Sequence, residues 1–308
     1  MTALSRTTET TATRVHLRVV EPGRRTTLRQ IARARTRREQ LERLQLFART
    51  RARPSVFAYW SAALIHDLPM LNAPPPTVHI LAAGPVGTAD RGVVAHPRTP
   101  RQQHQCHHGL QVTSPAQTVA HLAGRTSFVE GVVIADHALA AGAFDERTPL
   151  ATRAQITEAA ECLADPGERS RALAVARFAD GRAESPLESV SRATMALAGA
   201  PPPELQVPLR DRNGLVARLD FCWPALGLAG EADGAEKLLH PAFNRSRGGW
   251  DVLAARTRRE QRIEAIGLRV LRWRWETGRR VDRMRAFLAS EGVPLDPGAR
   301  LAELGLRP

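Results

Sequence analysis

Four acids, Glu188, Asp220, Glu231 and Asp233, together with the chain's one lysine, Lys237, are the residues whose types and spacing could carry chemistry. In the run 215–223, strand alternation puts Leu215, Ala217, Leu219, Phe221 and Trp223 on one face and Arg218 and Asp220 on the other. Glu231 and Asp233 are two apart in the next apolar run and share a face, so a short antiparallel meander brings Asp220 and Glu231 together. Carboxylates placed side by side repel unless a cation lies between them. Mg²⁺ or Mn²⁺ held by Asp220 and Glu231 would activate a water and stabilise the leaving oxygen of a cleaved phosphodiester. Glu188 would be a helix-borne acid, and Lys237 could position or deprotonate the attacking water. Each residue also has a plainer reading. Ser185-Pro186-Leu187-Glu188 is a capping box, acids on a polar strand face are ordinary edge residues, Lys237 can stand where it does by chance, and Glu260 reads as a helix-surface ion-pair partner.

The elements that must position these acids are legible around them. A helix over 185–198 leads through Pro201-Pro202-Pro203 to a strand over 205–210. Asn213-Gly214 then turns that strand into 215–223, a third strand covers 226–232, a helix covers 250–266, and a strand covers 268–275 with Trp273 and Trp275 on its core face. This is the order of a compact α/β nuclease core, a three-strand meander flanked by helices. Upstream, the pattern predicts a helix over 55–67 stopped by Leu68-Pro69, then short strands over 77–83, 93–96 and 110–113. Ser114-Pro115 caps a helix to Leu122, and helices follow over 128–139, 153–163 and 170–178. The fold class is mixed α/β (α+β). The expected organisation is a basic segment 1–54, a mixed helical domain 55–180, a nuclease-like domain 181–290 and a tail 291–308.

Charge indicates a polyanionic partner. The net charge is +13 and the sequence pI about 11.3. Residues 1–53 hold fourteen Arg against four Glu, and 245–285 hold thirteen Arg against five acids. Leu28, Ile31, Leu41, Leu44 and Phe47 recur at helical spacing among the arginines, which describes a basic amphipathic helix. Arg29, Arg33, Arg37, Arg38, Arg258, Arg259 and Arg272 are therefore the candidate DNA contacts, with a merely solvated charged face as the alternative. Cys106, Cys162 and Cys222 are scattered and odd in number, which excludes a disulfide framework and a paired-cysteine zinc site. His104, Cys106 and His108 alternate onto one side of a strand with no second ligand cluster, and read as an incidental polar strand. The start is polar and Thr-rich and no apolar run is long enough to span a bilayer, so a soluble, cytoplasmic chain with no membrane partner is expected.

Two resemblances add to this reading. Glu188, Ala217-Arg218-Leu219-Asp220-Phe221, Gly230-Glu231-Ala232-Asp233-Gly234, Arg258-Arg259-Glu260 and 267–272 together resemble the bacterial family related to the very-short-patch-repair endonucleases, within the PD-(D/E)XK superfamily. The resemblance covers about 181–290. It implies Asp220 and Glu231 as metal ligands, Asp233 as an accessory acid and Glu188 as the helix-borne acid. Where the superfamily pattern has a lysine two positions after the second acid, this sequence has Asp233, so Lys237 would have to substitute for it. The segments 61–69, 92–96, 109–119 and 135–139 are similar to AbiEi-type antitoxin and regulator proteins, with His121 standing where that pattern has an acid. The resemblances imply a Mg²⁺-dependent DNA endonuclease. They leave open a non-catalytic regulator or antitoxin that holds DNA, or a protein module paired with a toxin.

Overall fold

The computed structural model describes residues 28–51, 54–83, 87–90, 92–99, 101–141, 148–233 and 249–306, with backbone alone for 28–36 and 249–256. The chain is a mixed α/β protein. Helix α1, Leu28–Arg49, docks through Leu41, Leu44 and Phe47 onto Phe57, Ala62 and Ile65. The expected helix over 55–67 is shorter, α2 being Tyr59–Ile65. The Phe57 amide donates to Gln111 O at 2.8 Å and the Phe57 carbonyl accepts from Thr113 N at 2.9 Å. Those groups are committed to strand pairing and cannot enter a helix.

Phe57 thereby bridges two small sheets. In one, β1 (Val78–Leu81) runs parallel to β3 (Val93–His96), and β2 (Thr88–Asp90) pairs antiparallel on β3's other side. The other is the hairpin of β4 (His104–His107) and β5 (Leu110–Thr113), on which His104 and Cys106 are exposed. Helices α3 (Pro115–Arg125), α4 (Phe128–Leu139), α5 (Arg153–Glu161) and α6 (Pro166–Phe178) close one core over Leu122, Ile134, Ile156 and Val175. The side chains of Ser114, Ser127, Thr152 and Asp165 each accept a backbone N–H three residues on, which starts these four helices where the capping residues stand.

The second unit starts at α7, Pro186–Ala198, ended by Gly199 in the left-handed region at φ 93°. Strands β6 (Glu204–Asp211), β7 (Gly214–Trp223), β8 (Leu228–Ala232) and β9 (Arg269–Trp273) form one sheet in that order. The first three are the expected antiparallel meander, and β9 adds a fourth strand parallel to β8 after helix α8, Gly249–Glu264. Strand β9 ends at Trp273, so Trp275 opens the short helix α9, Trp275–Gly278. On one face Phe221, Trp223 and Trp273 pack with Leu187 and Met195 of α7 and with Met284 and Leu288 of α10, Val281–Ser290. On the other, Leu219, Cys222 and Ala229 pack with Ile263 of α8. The segment expected as a tail carries helix α11, Pro297–Leu304, which packs on α6 and α7. No helix among the described residues is long and apolar enough to cross a membrane.

Two buried polar clusters fix this arrangement. Asp136 on α4 receives Arg192 of α7 through both carboxylate oxygens at 2.8 Å, and its Oδ1 also accepts the Asp180 N–H at 2.7 Å. Burial raises the Asp136 carboxyl above its ordinary range while Arg192 draws it back. In the first unit, His121 lies in the position where the AbiEi resemblance has an acid. It stacks on Tyr59 at 4.2 Å, and His96 stacks on the same ring at 3.7 Å. His79 Nδ1 is 2.8 Å from His96 Nε2. The amides of Gln102 and Gln117 both approach His121 Nε2, so the ring proton sits on Nδ1, which has no acceptor among the described residues. Burial, reinforced by Arg125, holds His79 down to about 4 and His96 down to about 3. Burial with His96 and Arg125 holds His121 down to about 3.

Arg192→Ala is expected to lower the unfolding free energy by about 3–5 kcal/mol by stranding Asp136, and joint replacement by Asp136→Leu with Arg192→Met to recover most of it. Urea denaturation of the unaltered chain and the two variants checks this. The histidines predict the pH response. Their folded pKa values lie below the unfolded value near 6.5, so only the unfolded chain takes up these protons as pH falls, and stability declines from about pH 6.5 toward pH 4. The slope is up to about 1.4 kcal/mol per pH unit for each histidine. His121→Gln should flatten that slope in denaturation curves at stepped pH.

Candidate functional site

The acids lie where the meander meets β9. The β7–β8 register pairs Phe221 with Gly230, which leaves Asp220 and Glu231 at the next position, side by side across the ladder as the alternation predicts. Gly230 is required there. A Cβ on it would sit 2.7 Å from the Trp273 ring and 3.1 Å from Phe221 Cβ. The hairpin before it turns at Gly214, φ 102°, and is tied to α8 by Asp211, which receives both Nε and Nη2 of Arg262 at 2.7 Å. Arg262 holds the Asp211 carboxyl below its usual range. Burial pushes the Cys222 thiol up, so this cysteine is a packing residue.

The simple two-face reading of β7 does not hold along its whole length. Ala217 and Leu219 feed the core under α8, whereas Phe221 and Trp223 feed the core under α7 and α10. The change falls at Asp220, flanked by the pairs Val207–Leu219 and Leu205–Phe221. Between those partners β6 has Gln206 in the left-handed region at φ 54°. Asp220 is buried, and its Oδ2 accepts the Ala232 N–H at 2.9 Å, tying the ends of β7 and β8 together through a side chain.

Glu231 is buried and answered by two guanidinium groups. Arg259 of α8 donates to Oε1 at 2.6 Å, and Arg272, its register partner on β9, donates to Oε2. Arg272 also lies 3.8 Å from Asp233 and 3.7 Å from Glu260, so Glu260 reaches across to the sheet. Arg259 and Arg272, expected to face DNA, are therefore turned onto Glu231. Glu188 serves the start of α7, its N–H donating to Ser185 Oγ at 3.2 Å. It receives the Ser185 hydroxyl at 2.8 Å and the Glu184 N–H at 2.9 Å, and Gln206 donates to it at 2.8 Å. Lys237 lies outside the described residues.

The other expected DNA contacts divide. Arg37 is committed to Asp67 and to the Leu64 carbonyl, a docking contact between α1 and α2. Arg38 pairs with Glu42 one turn on and is exposed, as is Arg258. Arg29 and Arg33 lie on α1, their side chains outside the described set. Sequence reasoning missed the arginine pair on Glu231. The signal available was Arg272 opposite Glu231 once β9 is run parallel to β8.

The residues present do not fit a divalent ion as they are arranged. Both Glu231 oxygens hold guanidinium N–H groups, and Asp220 Oδ2 holds a backbone N–H. Two fixed cations beside one ligand oppose a third. Among the described residues no group of three or more His, Cys, Asp or Glu could hold a metal ion.

Two proteins of Mycobacterium tuberculosis, from the CDC 1551 and H37Rv strains and both described as uncharacterized, are 32% identical to this chain over 169 residues, 54% of it. The chain spans 58% of their length. No family model matches the chain, and no solved structure matches it.

Arg272→Gln is expected to lower stability by about 1–3 kcal/mol, because it leaves buried Glu231 half-answered. Arg258→Gln, at an exposed neighbouring position, should change it by less than about 0.5 kcal/mol. Equal losses in thermal denaturation would contradict the assignment of Arg272 to Glu231.

Proposed function

We propose that the protein binds DNA, and that its C-terminal unit uses a nuclease-like fold to hold DNA or a protein partner without cutting it, in the manner of a regulator or antitoxin. The observation that supports this is the pairing of Glu231 with Arg259 and Arg272. The carboxylate that the endonuclease resemblance makes a metal ligand is neutralised by the protein's own cations. The surplus of basic charge, heaviest in residues 1–53, supplies the sequence-independent attraction to phosphates. Arg38 and Arg258, exposed on α1 and α8, are among the described arginines of that charge, as are the exposed Arg43, Arg49 and Arg51. A toxin is the class of protein partner in this reading.

A second reading, a Mg²⁺- or Mn²⁺-dependent DNA endonuclease, is favoured by the register that sets Asp220 beside Glu231. One experiment separates the two. Supercoiled, linear and mismatched DNA are incubated with the protein in Mg²⁺, in Mn²⁺ and in chelator, with Glu231→Ala as control, and binding is followed across salt. The expected result is salt-sensitive binding with no metal-dependent nicking, and a log–log salt slope reduced by about one for each of Arg38→Gln and Arg258→Gln. Metal-dependent nicking that disappears in Glu231→Ala would establish the hydrolase instead. Absence of salt-sensitive binding would remove both readings.

A further inference from the structure

The outer half of the β6–β7 hairpin is a two-stranded ribbon. Strand β8 pairs with β7 at Phe221, Cys222 and Trp223, so residues 207–211 and 214–219 extend past it. The two faces of this ribbon are unlike. Val207, Leu209, Val216, Ala217 and Leu219 pack with Ile263 of α8, and Arg262 of α8 holds Asp211 from the same side. Register sets the other face. Arg210 stands opposite Leu215 and Pro208 opposite Arg218, and opposed residues share a face. Pro208 and Arg210 flank Leu209 in β6, so these four residues point away from α8. All four are exposed, Leu215 by 56%.

The bare face follows from the change of core at Asp220. Inward of that point, Leu205, Phe221 and Trp223 pack under α7 and α10. Outward of it the apolar residues turn to α8, and the opposite face is left to solvent. Its chemistry is basic with one large apolar side chain. Arg218 is paired with Glu184, whereas Arg210 and the turn residue Arg212 make no ion pair among the described residues. Three guanidinium groups against one carboxylate favour a polyanion. A solitary exposed leucine is ordinary on a protein surface. Here it is opposed by an arginine on a projecting ribbon, and the major groove of DNA takes that shape and that chemistry. The groove is about 12 Å wide and admits a two-stranded ribbon, and its floor offers guanine O6 and N7 to a guanidinium and thymine methyl groups to an apolar side chain.

We propose that the outer face of this ribbon enters the major groove of duplex DNA, with Arg210 and Leu215 against base edges and Arg212 on an adjoining phosphate. The proposal rests on the DNA-binding reading and says where the duplex sits. It does not depend on whether the acids on β7 and β8 cut DNA. The support behind the ribbon suits it to this role. Asp211, held through both of its oxygens by Arg262, fixes the turn from the α8 side, and Gly214 at φ 102° closes it in two residues, so the bare face is presented on a rigid element.

The test uses the full chain and two duplexes of one sequence. In one of them the cytosines carry glucosylated hydroxymethyl groups at C5, which fill the major groove and leave the minor groove open. Affinities are read by fluorescence anisotropy at one fixed salt concentration. The unaltered chain is expected to bind the open duplex about tenfold or more tighter than the filled one. Arg210→Gln combined with Leu215→Ala should weaken binding to the open duplex about tenfold or more and bring the two duplexes to equal affinity. Arg285→Gln removes one exposed arginine from α10, is the control for charge alone, and should keep the preference. Thermal denaturation confirms that the variants fold. Equal affinity of the unaltered chain for the two duplexes would overturn the proposal and leave DNA binding standing. So would a double variant that keeps the preference, and either result would point to a protein partner for this face. Absence of binding to both duplexes would remove the DNA reading itself and this proposal with it.

Discussion

The buried pair of Asp136 and Arg192 is the constraint on which the relation between the two units depends. Arg192 reaches from α7 into the helical unit, gives Nη1 to the Phe178 carbonyl at 2.8 Å, and lies over the Phe178 ring at 4.1 Å. Asp136 fixes the connection between units by accepting the Asp180 N–H. One ion pair thus orients α4, the end of α6 and the start of the C-terminal unit. The net stabilisation of such a pair over a hydrophobic substitute is small, because two ions must be desolvated. Its effect is on register. A slip of α7 by one turn would leave both charges buried and unanswered.

From α7 that constraint passes to the acids. Ser191 accepts the Trp273 indole N–H at 2.8 Å, Thr194 donates to the Gly278 carbonyl at 2.7 Å, and Glu188 receives Gln206. These contacts hold β9, α9 and β6 against one helix. Trp273 in turn covers Gly230, which sets the strand position of Glu231. The placement of Glu231 is therefore a consequence of packing on both faces of β8.

Much of this was readable from residue types. Ser114-Pro115 and Ser185-Pro186 mark helix starts by hydrogen-bonding chemistry that needs no tertiary context, and Asn213-Gly214 marks the hairpin because few other residues take positive φ cheaply. Asp296-Pro297, with Gly305 after it, is the same kind of signal for α11 and contradicts a simple tail. What was not readable depends on long-range pairing. Phe57 reads as helical by composition and becomes a strand bridge because β5 takes its N–H and carbonyl while β1 pairs with its neighbours Val56 and Ala58. Period-two alternation through β7 fails at Asp220 because a change of core along one strand is decided by α8 and α10, which sequence spacing does not place. The histidines at 79, 96 and 121 are too far apart in sequence to suggest that they gather around one tyrosine.

The same limit applies to arginine. Composition counts charge and cannot say which guanidinium groups are already engaged. Arg37, Arg192, Arg259, Arg262 and Arg272 all make contacts within the fold, yet pairing changes no net charge, so the surplus of thirteen survives it. The sequence places most of it before residue 54. At the acids, the two functional readings are thermodynamically linked. Arg259 and Arg272 cannot fully engage both a DNA phosphate and Glu231, so any phosphate that draws them away leaves a buried carboxylate in need of a cation. DNA binding at those arginines and cation binding at Glu231 must then favour one another, and a chain that keeps Arg259 and Arg272 on Glu231 keeps the acid neutralised.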